Sequence, residues 1–192
     1  MIAVFDPTFT LLLLIPLFIS LRRPASGAVR IGLLLGLTYL GAGYLQHQRA
    51  ETSLLSVASQ RGHVIERASV KPTMANLLLW RSIYVHQGRL FADAHHLGLT
   101  IRHYPGVSKP ILDGFAAKHS RDVERFRVFA DDYLVDGGDG LIGDARYAML
   151  PTAIEPIWGI RWGVNDRVEF VTRHEMSSVE RKRWLDMLLG RP

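Results

Sequence analysis

Residues 31–62, IGLLLGLTYLGAGYLQHQRAETSLLSVASQRG, change character halfway, and that change decides the architecture. The first fifteen residues carry no charge, whereas Arg49, Glu51 and Arg61 punctuate the rest. An uncharged apolar run of this kind reads as a membrane-spanning helix, and the mixed run as its amphipathic extension over residues 48–62. Gly62 stands where a helix ends in a left-handed residue. Within the run, Gly32 and Gly36 form a G-x-x-x-G spacing, with Gly41 and Gly43 beyond, a pattern that lets a second helix approach closely. Tyr44 suits a membrane interface.

That second helix lies upstream. Residues 9–21, FTLLLLIPLFISL, are also uncharged, and Asp6-Pro7 reads as a helix start, since Asp caps free N–H groups and Pro is tolerated in the first turn. The basic residues follow this apolar run instead of preceding it, which argues for a retained anchor over a signal peptide. The link LRRPASGAVR (21–30) carries Arg22, Arg23 and Arg30. The expectation is therefore a transmembrane helical hairpin over residues 1–47. An arginine-bearing link belongs in the cytoplasm, so the C-terminal part is expected in the periplasm of a bacterial inner membrane.

After Gly62 the period shortens. HVIERASV (63–70), GRLFADAHHLGLTIRHY (88–104), GDARYAML (143–150), EPIWGIRWGV (155–164) and DRVEFVTRH (166–174) alternate apolar and polar residues as half-buried strands do, with Trp158, Ile160 and Trp162 on one face. SRDVERFRVFADDYL (120–134) instead spaces Val123, Phe126, Ala130 and Tyr133 helically, with Ser120 as a cap. The tail SSVERKRWLDMLLG (177–190) opens on Ser177 and Glu180 in capping-box spacing, buries Trp184 and Leu188, and ends at Gly190. Residues 63–192 thus predict a membrane-anchored α+β fold: a mostly antiparallel β domain with one or two helices outside the membrane.

Composition narrows the chemistry. The 192 residues include no Cys, which removes disulfides and thiolate chemistry. The net charge of +5 is spread among acids without aromatic interleaving, which excludes a nucleic-acid platform. In DAHH (93–96), Asp93 and His95 share a strand face, and His103 on the next strand completes a weak metal or acid–base candidate; solvated strand surface is the expected reading. DGGDGLIGD (136–144) lacks the ligand alternation of a calcium loop and reads as a hairpin turn. RHEMS (173–177) begins like a zinc-protease motif, but Ser178 stands where its second His is required. No catalytic residue is specified.

VKPTMANLLLWR (70–81) is the remaining motif. Pro72 fixes the backbone, Thr73 and Asn76 can bond nearby backbone groups, and the stretch reads as a turn entering a short apolar element. Trp80 offers a large surface for burial, and Arg81 can reach a carboxylate or a lipid phosphate. In the order FDPTFTLLLLIPLF, an Arg-rich link, LTYLGAGYL, then VKPTMANLLLWRSIYVHQGRLFADAHHL and a β-rich tail, the chain resembles the C-terminal half of the bacterial membrane-bound metal-dependent hydrolases, which are inner-membrane-associated. Pro72, Thr73, Asn76, Trp80 and Arg81 carry the match. The resemblance implies a divalent metal in the complete family, held by His and Asp residues of an N-terminal membrane half that this chain does not contain. The metal is therefore not expected to bind this chain alone. The expected partners are the lipid bilayer and either the missing N-terminal half or another protein. The rival reading is a non-catalytic anchored domain that binds a partner protein or lipid headgroups.

Overall fold

A computed structural model describes residues 6–23, 27–112, 120–162, 168–173 and 175–192, with only the backbone given for Ser120 and Trp162. The expectations for Ser120 as a cap, for the Trp162 face, for His174 and for residues 1–5 lie outside the described atoms.

Helix α1 (Pro7–Arg22) opens on Asp6, whose side chain accepts from the Phe9 amide at 3.0 Å. It runs antiparallel to α2 (Ala28–Gln60), because Tyr39 donates to Asp6 Oδ2 at 2.8 Å while Gly32 faces Pro16. A Cβ at Gly32 would stand 2.8 Å from the Pro16 ring, and one at Gly36 would stand 3.0 Å from Leu13. The G-x-x-x-G spacing therefore does what small residues at a helix crossing do. Gly41 is different: nothing lies within 4 Å of its Cβ position.

The expected span and its amphipathic extension are one unbroken helix of 33 residues, and α2 is the one described helix long and apolar enough to cross a membrane by length and composition. With 16 residues, α1 measures about 24 Å, short of a hydrocarbon core of about 30 Å. Gly62 ends α2 as expected. Its φ is +70°, and the His63 amide reaches back to the Ala58 carbonyl at 2.9 Å, the long bond of a Schellman cap.

The remaining described chain forms an antiparallel β domain as expected, built as two four-stranded sheets. The first orders β1 (Arg67–Pro72), β2 (Leu79–His86), β3 (Arg89–Leu97) and β4 (Ile101–Pro110) as a meander. Gln87 and Gly88 both have positive φ, as a two-residue hairpin turn requires. After α3 (Ser120–Phe129), the second sheet orders β5 (Leu134–Asp136), β6 (Ile142–Asp144), β7 (Trp158–Trp162) and β8 (Val168–Thr172). DGGDGLIGD is the β5–β6 hairpin, as its glycines suggested. Helix α4 (Ser178–Leu188) carries the full Ser177/Glu180 capping box; Met187 is its buried residue, with Trp184 and Leu188 half-buried.

Two strand expectations shorten. HVIERASV enters the sheet only at Arg67, because the Schellman turn occupies its beginning. GDARYAML leaves its strand at Asp144, whose carboxylate accepts the Arg146 amide at 3.0 Å and turns the chain.

The layers follow from alternation. Ile83, Val85, Leu90 and Ala92 of the first sheet pack on Val135 of the second and on Tyr133, Ala145 and Ile154 in the segments that flank its strands. Leu134, Ile142 and Ile160 point the other way, onto Val123, Phe126 and Ala130 of the α3 segment. The opposite face of the first sheet receives α2 through Ala50, Leu54 and Ala58, which meet Trp80, Leu97 and Tyr84. Strand β2 is thus covered on both sides, and the half-buried alternation expected of an exposed sheet is absent from it.

Candidate functional site

The face of the first sheet under α2 is polar at its centre. Alternation along β2 and β3 points Trp80, Ser82, Tyr84, Phe91, Asp93 and His95 toward the helix, and the register sets Ser82 opposite Asp93 and His95 opposite His103. Asp93 and His95 were expected on solvated strand surface, and the structure corrects this: they are 1 % and 0 % exposed. The second half of α2 covers them, which the sequence of β3 by itself does not announce. His103 joins from β4 as anticipated, 3.1 Å from Asp93 Oδ1, and remains partly open to solvent.

Arg61, at the C-cap of α2, closes on Asp93 with Nη1 donating to Oδ2 at 2.6 Å and Nη2 to Oδ1 at 2.8 Å. The same Nη1 donates to the Tyr84 hydroxyl at 3.0 Å, and that hydroxyl lies 2.9 Å from His63 Nδ1. A bulge between β3 and β4 adds one more donor, the Gly106 amide, at 3.0 Å from Asp93 Oδ1. Only glycine fits there, because a Cβ would collide with the carbonyl oxygens of Ala92 and Thr152. Burial alone would raise the Asp93 carboxyl. His103, Arg61 and the Gly106 amide together outweigh that and hold it at about 2. Arg61 shifts further upward through its bonds to Asp93.

His95 is held at both ring nitrogens. Ser53 Oγ of α2 lies 2.8 Å from Nδ1, and Ser82 Oγ of β2 lies 2.8 Å from Nε2. A neutral imidazole satisfies both hydroxyls, donating from one nitrogen and accepting at the other. Burial, reinforced by the neighbouring His103, lowers His95 to about 4, so it is uncharged at neutral pH. Neither Ser53, Ser82 nor Arg61 stood out in the sequence; the available signal was serine inside the apolar stripe Ala50, Leu54, Val57, Ala58 of an amphipathic helix.

The motif at 70–81 is divided between turn and core. Asn76 donates to Thr73 Oγ1 at 2.7 Å and accepts the Leu78 and Leu79 amides at 2.9 and 2.7 Å, which holds a turn containing Ala75 at φ +61°. Pro72 ends an edge strand, where a missing N–H is tolerated. Trp80 is fully buried, and its indole N–H donates to the Leu77 carbonyl at 2.9 Å. Arg81 reaches neither a carboxylate nor a lipid phosphate. It is 7 % exposed and donates to the carbonyls of Pro151 at 2.6 Å, Ala145 at 2.8 Å and Leu150 at 3.3 Å. Burial brings its guanidinium down to about 10, still protonated at neutral pH. It props the 145–151 segment against the opposite face of the sheet from His95.

Among the described residues, no group of three or more His, Asp or Glu side chains is placed to hold a metal ion. Both Asp93 oxygens and both His95 nitrogens are engaged by protein partners, so a cation at Asp93, His95 and His103 would have to displace Arg61 and a serine. The arrangement joins a helix to a sheet through a buried polar layer. No family model, curated protein or solved structure matches the chain.

Proposed function

We propose that this chain is a non-catalytic membrane-anchored module of a bacterial inner membrane, whose helical hairpin lies in the bilayer and whose β domain is held at the periplasmic surface to meet a partner protein or lipid headgroups. The carrying observation is α2 itself. Its first half leaves Ile31, Leu33, Leu34 and Leu37 exposed, and α1 exposes Leu11, Leu14, Ile15 and Phe18 beside them. This apolar belt is far larger than the patches a water-facing surface tolerates. The second half of the same helix is locked to the sheet by Ser53, Arg61 and their partners, so the anchor dictates the orientation of the domain. Arg22, Arg23 and Arg30 at the far end of the hairpin support a cytoplasmic link. In this reading the short α1 crosses with Arg22 leaving its stack, 4.3 Å over the Phe18 ring, to snorkel outward to the headgroups.

Carbonate washing of membranes from an expressing bacterium tests the anchor: retention in the pellet is expected, and release into the wash would refute it. Alkaline phosphatase fused after Pro192 should be active, and a fluorescent protein at the same position dim.

The second reading keeps the hydrolase resemblance: the chain as the accessory half of a metal-dependent hydrolase. The apolar groove of the hairpin, lined by Leu11, Leu12, Ile15, Pro16 and Leu35, favours it as a seat for further membrane helices. An in-frame sequence upstream encoding such helices with His and Asp motifs would decide for this reading.

A further inference from the structure

We propose that the end of the first sheet nearest the hairpin is a lipid-contact rim, in which Leu99, Met74 and Leu78 enter the bilayer interface at the level of Tyr44 and Leu45. The proposal rests on the anchored reading above and names the surface through which the domain meets lipid.

Helix α2 sets the level. Its apolar run ends at Leu45, and the next residue, Gln46, donates from Nε2 to the Leu77 carbonyl at 3.0 Å and to the Leu97 carbonyl at 2.9 Å. Arg49 Nη2 donates to the Gly98 carbonyl at 2.7 Å. The two turns at this end of the sheet are therefore fastened to α2 within one helical turn of its last apolar residue, at a rise of about 1.5 Å per residue. The Gln87-Gly88 hairpin lies at the other end of β3, eight residues and about 26 Å away.

The two fastened turns present the wrong residues for water. Leu99 is 105 % exposed at the tip of the β3–β4 turn, Met74 is 71 % exposed on the Asn76-held turn, and Leu78 and Ile101 stand exposed beside them. Single exposed leucines are ordinary. Four apolar side chains on two adjacent turns, fastened at the helix level of exposed Tyr44 and Leu45, extend the apolar belt of the hairpin toward the sheet. The Asn76 bonds hold the Met74 turn in shape before any contact forms. Arg102, next to Ile101 and bonded to the Gly190 carbonyl, supplies an exposed cation at the depth of anionic headgroups. Attachment of both turns at the very end of the apolar run selects a bilayer interface over a protein as the occupant.

The chain has no cysteine, so single labels are unambiguous. Nitroxide is attached to Leu99→Cys, Met74→Cys, Leu34→Cys on the hairpin and Val64→Cys at the far end, each in the full chain reconstituted in phosphatidylcholine–phosphatidylglycerol vesicles. Collision with lipid-soluble oxygen is compared with collision with a water-soluble nickel chelate. The expected oxygen preference at positions 99 and 74 is several-fold above that at 64 and approaches that at 34. A label at 99 as water-accessible as that at 64, with 34 in lipid, would overturn the rim and leave the anchor standing. Protection of 99 from both collision partners would assign this surface to a second copy of the chain instead of lipid. Water-like behaviour at 34 would refute the anchor, and the rim with it.

Discussion

The Arg61 guanidinium meets the Asp93 carboxylate in two parallel hydrogen bonds of 2.6 and 2.8 Å, tying the C-cap of a 33-residue helix to the centre of a sheet. The helix macrodipole favours a cation at this end. Removing the guanidinium leaves Asp93 buried with only His103 and one backbone amide. Arg61→Met is expected to destabilise the domain by at most roughly 3–5 kcal/mol, the cost of an uncompensated buried charge. Asp93→Asn should cost less, because a neutral amide needs no counter-charge. Denaturant unfolding in mild detergent checks the order; equal losses would mean that hydrogen bonding, not charge, dominates this pair.

His95 predicts an acid sensitivity that begins well above the carboxylate range. It is neutral when folded, lowered to about 4 by burial and by His103, against an ordinary value of 6.5. Between those values the unfolded chain binds a proton that the folded chain refuses, so stability falls as pH drops from 6.5 to 4. The loss is complete below 4 and amounts to about 3 kcal/mol at most. Asp93, held at about 2, adds a second loss between its unfolded value of 3.8 and about 2. Thermal melts across pH 7 to 4.5 should fall in the wild type, and His95→Gln should flatten that slope. An equal slope in both proteins would assign the sensitivity to other histidines.

Metal removal should be without effect. The Asp93 oxygens are filled by Arg61, His103 and Gly106, and the His95 nitrogens by Ser53 and Ser82. Protein purified in mild detergent is expected to carry no stoichiometric zinc, manganese or iron, and a chelator should not move its melting temperature. One tightly held metal per chain, lost on His95→Ala, would place a site in the strand domain after all.

Local patterns were readable where they act locally. Asp6-Pro7, Gly62, the Ser177/Glu180 box and the glycine-rich β5–β6 turn each do what their residue types dictate, because their partners lie within a few residues. The G-x-x-x-G of α2 was legible for a different reason: its partners Pro16 and Leu13 lie on another helix, but small residues at helical spacing mark a close crossing whatever the partner. The polar centre was not legible. Ser53 meets His95 across 42 residues, and Arg61 meets Asp93 across 32. Alternation says which residues of β3 share a face, but not that a helix will cover that face. Alternation marked the segments that hold β7 and β8 but not their grouping into a second sheet, because all four strands of that sheet have only three or five residues and their pairing depends on the layer beneath.

Trp80 and Arg81 are neighbours on β2 that point to opposite faces, and both are predicted to be costly to remove. Trp80→Ala empties a fully buried site under α2 and is expected to cost about 3–5 kcal/mol. Arg81→Ala strips donors from the carbonyls of Ala145, Leu150 and Pro151 on the other face, and bonds from a charged donor are worth roughly 1.5–3 kcal/mol. Arg81→Lys should recover only part of that loss, because a point ammonium cannot reproduce a planar fork reaching three acceptors. The two variants should also differ in kind. Trp80→Ala should loosen the helix–sheet contact, seen as faster amide exchange in the second half of α2. Arg81→Ala should loosen the 145–151 segment while α2 stays protected. If Arg81→Ala melts at the wild-type temperature, its guanidinium is no structural prop, and the 70–81 motif regains a role in binding.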